Sequence, residues 1–165
     1  DLYEFYQKWY YTAVREALNY YPFKGDYAEL AKLLIPQITE SEAKKAIALL
    51  KRLKFIKKNK QGRFALTSRF ISTGDEWRSI AIRSFQKETI QLAINALDTI
   101  PKDMRDISTV TVTLSPDSVA KVKEKLTAVR QEVLKIAHQE ENASGAYHVN
   151  FQLLPIAKHW PEVGK

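Results

Sequence analysis

The chain has 165 residues, of which 45% are hydrophobic, and it carries a formal net charge of +7 with a pI near 9.5. This length suits one domain or two small ones with a buried core, and the charge favours an anionic partner such as nucleic acid. The absence of cysteine excludes disulfides, thiolate zinc sites and thiol catalysis, and no apolar run is long enough to cross a bilayer. We therefore expect a cytoplasmic protein with no membrane partner.

The first part of the chain predicts two helices. Residues 3–21 place apolar side chains at helical spacing until Pro22 interrupts the pattern. Asp26 is expected to cap a short second helix that stops before Pro36, because its carboxylate can accept hydrogen bonds from free backbone amides. Aromatic side chains in the first helix are candidates for stacking on nucleobases, although core packing is the preferred interpretation. They are Tyr3, Tyr6, Trp9, Tyr10 and Tyr11.

A third helix and a hairpin follow. Thr39 and Glu42 form a T-x-x-E capping box, in which each side chain bonds the backbone amide of the other residue and fixes a helix start. Strand-forming residues at 55–56 and 64–66 flank a turn that ends in Gly62, a residue that tolerates the backbone angles of a tight hairpin. Two helices, a capped helix and a hairpin in this order are typical of a winged helix-turn-helix domain.

The second half predicts a helix, a strand, a helix and a strand. A helix is expected from about 76 to 97, and residues 107–114 alternate threonine with apolar residues, as a half-buried strand does. A helix that begins with the cap Ser115 and Pro116 should run to about 140, and residues 147–153 alternate again. Because the connecting helix is long, the two strands should be parallel if they are neighbours.

The predicted fold class is therefore α+β and helix-rich. A Ser/Thr/Gly break at 72–74 separates a winged helix-turn-helix domain with an aromatic N-terminal helix, residues 1–73, from an α-β-α-β domain, residues 74–158, and a tail, 159–165. Two strands alone form a poor sheet, and the long helix carries more than one apolar stripe. We therefore expect the second domain to form a homodimer and to serve dimerisation or effector sensing.

Three segments carry a resemblance to a known family. EWRSIAIRSFQKETIQLAINAL, RDISTVTVTLS and YHVNFQLLPIAK, in this order, resemble the Fibrobacter-type paralogous family of predicted helix-turn-helix transcriptional regulators. The C-terminal region of that family is classed as a domain of unknown function. The similarity covers nearly the whole chain and implies a bacterial transcription regulator. It implies no catalytic residues.

Positive charge is concentrated on the third helix and the hairpin. From 39 to 69 there are ten lysines and arginines against two glutamates. A solvated lysine-rich surface is the simpler interpretation, but these are the two elements that a winged helix presents to duplex DNA. On this hypothesis the third helix enters the major groove and the hairpin meets phosphates. The candidate DNA-binding residues are Ser41, Lys44, Lys45, Ala48, Lys51, Lys57, Lys58, Lys60 and Arg63.

An alternative function remains open. Glu40 and Glu42 lie at the start of the third helix, where they repel phosphate unless they are engaged in capping or accept from cytosine. On the alternative interpretation the chain is a protein-interaction module of a larger regulator, and its DNA contact lies in an N-terminal region that this chain does not include.

A basic pocket for an anionic effector is a weaker hypothesis. Its residues are Arg78, Arg83, Lys87 and Arg105, and an exposed helix face explains the first three at least as well. The three histidines lack metal-ligand spacing, and no phosphate-loop or nucleophile-elbow pattern occurs. We therefore expect no catalytic residues, no metal, no cofactor and no enzymatic activity.

Overall fold

The structure, a computed structural model, describes residues 2–67 and 80–158. These ranges contain six α-helices, one 3-10 turn and a two-stranded antiparallel sheet, which confirms a helix-rich α+β fold. The helices are α1 Leu2–Phe5, α2 Trp9–Ala17, α3 Tyr27–Leu33, α4 Glu40–Arg52, α5 Ile80–Thr99 and α6 Pro116–Gln139. The 3-10 turn is Lys102–Met104, and the strands are β1 Ile56–Lys58 and β2 Phe64–Leu66. The predicted domain boundary at 72–74 and the tail 159–165 lie outside the described residues.

The aromatic N-terminal segment is two helices, whereas the sequence predicted one helix over 3–21. Phe5 and Val14 are both fully buried, at 1% and 0% exposure. On a straight helix, nine residues of separation place two side chains on opposite faces. The break between α1 and α2 lets both of them reach one core. Tyr6, Tyr10 and Tyr11 are also core residues, as the packing interpretation expected.

The prediction that the Asp26 side chain caps α3 is wrong, although Asp26 does occupy the N-cap position. Its carboxylate makes no hydrogen bond to the amides of α3. It accepts instead from the Tyr21 hydroxyl and, at 3.3 Å, from the backbone N–H of Lys24. The side chain therefore fixes the loop that precedes α3 and leaves the helix start without a side-chain cap.

The core of the first half lies between α2, α3, α4 and the hairpin. Leu30, Ile47 and Leu50 are buried on α3 and α4, and they meet Phe23 from the loop between α2 and α3. The backbone N–H of Phe64 donates to the carbonyl of Phe23 at 3.2 Å, so this loop is bonded to the edge of the hairpin. Helices and hairpin therefore share one core.

Helix α5 joins the first half of the chain to the second. Its Phe85 ring lies 5.7 Å from the ring of Tyr6, and its Glu88 contacts the start of α2. Asn150, far along the chain, donates from its side-chain amide to the carbonyl of Thr89 at 3.0 Å. Helix α5 thus contacts both the N-terminal core and a C-terminal segment.

The two strands predicted at 107–114 and 147–153 are not strands in this structure. Neither segment has the hydrogen-bond pattern of a strand, and the only described sheet is the β1–β2 hairpin. A strand requires hydrogen bonds from a neighbouring strand, and the described part of one chain brings none to either segment. The intervening helix α6 was predicted well, with Ser115 as its N-cap and Pro116 at its first turn. No described helix combines the length and the apolar character that a membrane span requires.

Candidate nucleic-acid interface

Helix α4 begins at the capping box that the sequence predicted. The hydroxyl of Thr39 accepts from the backbone N–H of Glu42 at 3.1 Å, and the carboxylate of Glu42 accepts from the N–H of Thr39 at 2.8 Å. Apolar residues of α4 face the core, so its polar residues face outward. The exposed positions include all five predicted contacts on this helix, which are Ser41, Lys44, Lys45, Ala48 and Lys51.

Both glutamates at the start of α4 have partners. Glu42 is engaged in the capping box, and Glu40 pairs with Lys44 at 2.7 Å, one helical turn away. The adjacent Glu40 carboxylate raises the pKa of the Lys44 ammonium. Glu42 therefore serves the helix start, whereas Glu40 offsets one positive charge of the exposed face.

The end of α4 sets the direction of the hairpin. The N–H of Lys54 donates to the carbonyl of Lys51 at 3.0 Å and the N–H of Phe55 to that of Leu50 at 2.9 Å, which is the Schellman pattern of a helix C-terminus. Lys54 has a φ of +59°, in the left-handed region usually occupied by glycine. This reversal turns the chain directly from α4 into β1.

The hairpin turn is held by one asparagine. The side-chain oxygen of Asn59 accepts from the backbone N–H groups of Gln61 and Arg63, each at 3.0 Å. Gly62 has a φ of +75°, as the sequence predicted for this turn. The turn leaves three of the predicted phosphate contacts, Lys57, Lys58 and Lys60, exposed to solvent.

Aromatic rings connect the basic residues of α4 with those of the hairpin. The Phe64 ring lies 4.5 Å from the Lys51 ammonium of α4 and 5.7 Å from the Lys58 ammonium of β1. One ring thus brings cations of both elements to a single surface. Lys44 lies similarly over the Tyr27 ring, at 5.7 Å. These ring contacts and the turn-forming role of Asn59 were not predicted from the sequence, although an asparagine three residues before a hairpin glycine signals such a turn.

Most cations of this surface have no acidic partner. Among described residues, the recorded ion pairs engage Lys44 with Glu40, and Arg52 with Glu4 at 2.5 Å. No such pair is recorded for the remaining lysines of the surface. They are Lys45, Lys51, Lys54, Lys57, Lys58 and Lys60. We name these six residues the free basic face.

Arg63 differs from the other predicted contacts. It is half-buried, and together with Asn19 and Asn59 it borders an open cleft of about 290 Å³ between the end of α2 and the hairpin. It therefore lies beside the free basic face and is partly enclosed by the protein.

Three of the four residues of the predicted effector pocket lie within the described residues, and the pocket stays a prediction. Arg105 donates to the carbonyls of Ile100 at 2.8 Å and Leu97 at 3.4 Å, and so satisfies the C-terminal end of α5. Arg83 and Lys87 are exposed earlier on this helix, roughly 21 and 15 Å of helix axis before Leu97. Arg78 lies outside the described residues. Within 2–67 and 80–158, no group of three or more His, Asp or Glu side chains is arranged to hold a metal ion.

A family comparison covers nearly the whole chain. A model described as Domain of unknown function (DUF4423) matches residues 1–156. The chain belongs to this family. The DUF4423 match extends over both the basic first half and the second half, so the two halves form part of one family unit rather than a chance fusion. No curated protein and no solved structure gives a significant match to the chain.

Proposed function

We propose that this DUF4423 protein is a bacterial cytoplasmic transcription regulator that binds duplex DNA through a winged helix-turn-helix. Helices α2, α3 and α4 with the β1–β2 hairpin form the winged helix, and residues 80–158 dimerise or sense an effector. The observation that supports this proposal best is the convergence of Lys51 and Lys58 on the Phe64 ring. Because of it, the recognition helix and the wing present their charges to one partner.

The roles of the two elements follow from their shapes. An α-helix fits the major groove, so Ser41, Lys45 and Ala48 on the exposed side of α4 are the proposed base-reading positions. Lysines of a projecting hairpin reach the phosphates beside the groove, which release condensed counterions as they are neutralised. The loop between α2 and α3 accepts a hydrogen bond from Phe64 of the wing at the carbonyl of Phe23, and it supports the wing from the side of α2.

The acidic residues that favoured a protein-interaction module have local explanations. Glu42 completes the capping box, and Glu40 is paired with Lys44. Neither carboxylate requires an external basic partner. The free basic face is a surface for a polyanion, and nucleic acid is the polyanion that a regulator of this kind binds.

The test is a fluorescence-anisotropy titration of the chain with a random-sequence duplex at several salt concentrations. We expect binding that weakens steeply with salt. The triple variant Lys57→Ala, Lys58→Ala, Lys60→Ala should flatten the slope of log K against log salt by roughly 2.7, because each neutralised phosphate contributes about 0.9 to that slope.

A matched control removes equal charge elsewhere. Lys121, Lys123 and Lys125 are exposed on α6, and their replacement by alanine should leave the salt slope unchanged. If both triple variants lower affinity equally, net charge alone governs binding and the wing has no specific role. If the wild-type chain does not bind duplex DNA at low salt, the free basic face is either a solvated surface or a site for an acidic protein partner.

A further inference from the structure

Two extended segments of the second half lack strand partners. They are residues 106–114 and 146–154, and no backbone–backbone hydrogen bond recorded between described residues involves either of them. Val110 and Val112 are 84% and 60% exposed. Alternating valine and threonine with free backbone donors and acceptors form an edge that readily pairs with another strand.

The second segment leaves part of its apolar side exposed. The His148 ring lies 5.9 Å from the ring of Phe85, and Asn150 bonds the carbonyl of Thr89, so the polar side of the segment contacts α5. Tyr147 and Val149, on the other side, are 81% and 52% exposed. Successive side chains of an extended segment point to opposite faces. Tyr147 and Val149 therefore lie on an outer face, whereas Phe151 on the same side is half-buried and lies 5.8 Å from the Arg130 guanidinium of α6.

Helix α6 has an apolar seam that is only partly covered, since Val129 and Ile136 are 47% and 65% exposed whereas its other seam residues are half-buried. Val119, Val122, Leu126, Val129, Val133 and Ile136 follow one another in steps of three and four, the spacing with which a helix packs against an apolar partner. No residue of this 24-residue helix is buried. Ile136 is 65% exposed, and α6 makes only sparse contacts with other described elements.

The exposed area is large for a single folded unit. The chain exposes 12,496 Å² at 19.0 kDa, whereas a folded monomer of that mass exposes roughly 8,400 Å². The excess is about 4,100 Å² per chain, which is large enough for the interface of an obligate homodimer, where roughly 2,000–5,000 Å² is buried in total.

We infer that a second copy of this chain covers the surface by β-pairing. In this arrangement one sheet is shared between the copies, and in it the segments 106–114 and 146–154 pair with the extended segments of the second copy. The seam of α6 packs on the apolar side of this sheet. This inference rests on the dimer of the proposed function but not on its DNA binding.

A second copy satisfies all three requirements at once. The segments need strands as neighbours, their outer face needs an apolar cover, and the seam of α6 needs an apolar partner. Within its described residues, one chain leaves both segments without strand partners and leaves the two apolar faces only partly covered. A two-fold arrangement supplies each element twice. The same surface of both copies is then buried in one interface.

The test combines light scattering with hydrogen exchange in the absence of DNA. We expect twice the chain mass, and slow exchange of the amides of 107–113 and 147–153. Val110→Glu should yield a monomer in which these amides exchange rapidly. Since the Val110 side chain is 84% exposed in the single chain, this change disturbs little packing within one copy.

Tyr3→Glu is the matched control, because Tyr3 is a 52% exposed aromatic residue of α1 and receives the same charge. It should remain a dimer. Far-UV circular dichroism of both variants verifies that the helices persist. A wild-type monomer would overturn the dimer and the shared sheet together, whereas a wild-type dimer with rapidly exchanging segments would overturn the shared sheet alone. Failure of DNA binding affects neither result.

Discussion

The carboxylate of Glu88 accepts a hydrogen bond of 2.5 Å from the backbone N–H of Trp9. Trp9 is the first residue of α2, and the N-cap residue Lys8 makes no side-chain cap. A glutamate of α5 thus caps a helix that lies about eighty residues earlier in the chain. The same carboxylate pairs with the Lys8 ammonium at 3.3 Å.

We predict that Glu88→Ala lowers the free energy of unfolding by about 1 kcal/mol, the usual cost of removing a helix cap. Urea denaturation followed by circular dichroism measures this change. Glu88→Gln keeps a side-chain oxygen acceptor and should cost less than the alanine variant. Glu132→Ala, at an exposed position of α6, should stay within about 0.5 kcal/mol of wild type. Equal destabilisation by Glu88→Ala and Glu132→Ala would contradict the capping role.

Lys54→Gly should stabilise the protein by about 0.5–1 kcal/mol, because glycine adopts the positive φ of the α4 C-terminus without the steric cost that a Cβ atom brings. Part of the gain is offset by the greater freedom of glycine in the unfolded chain. Thermal and urea unfolding provide the measurement. Lys54→Ala removes the same charge but keeps the Cβ atom, so it should give no gain. A gain in both variants would assign the effect to charge.

Glu40→Gln should strengthen binding to duplex DNA roughly five-fold at moderate salt, because it removes a negative charge from the proposed interface and releases Lys44. Anisotropy titration at fixed salt measures this change. Glu132→Gln alters net charge equally on α6 and serves as the control. If Glu40→Gln has no effect or weakens binding, the start of α4 does not approach DNA.

The Tyr21 hydroxyl donates to the Asp26 carboxylate, which lowers the pKa of Asp26 and raises the pKa of Tyr21 to about 12. The stabilisation from Asp26 is present above its ordinary pKa and is lost as pH falls through its lowered value. That from Tyr21 is present below about pH 10 and is lost as pH rises towards 12. Both ends of the pH range should therefore loosen this loop.

The variant Tyr21→Phe tests this contact directly. We expect the carboxyl ¹³C resonance of Asp26 to titrate at higher pH in Tyr21→Phe than in wild type, since the donor that favours the carboxylate is gone. An unchanged Asp26 titration would show that the hydroxyl does not control this carboxyl group.

Features that depend on neighbouring residues could be predicted from the sequence. The Thr39–Glu42 box, the Gly62 turn and the Ser115–Pro116 helix start are all local arrangements, and each lies where the sequence predicted it. The exposed lysines of α4 were predicted for a related reason, because a helix with one apolar face must turn its charged side chains outward.

Features that depend on distant residues could not be predicted in this way, because they arise from contacts in three dimensions. The break between α1 and α2 arises because Phe5 and Val14 must reach one core, and the cap of α2 comes from Glu88 on another helix. The alternating pattern at 107–114 indicates a strand, but a strand forms only where a neighbour supplies hydrogen bonds, and the described part of one chain supplies none. Local pattern determines what a segment can become, whereas its partners in space determine what it is.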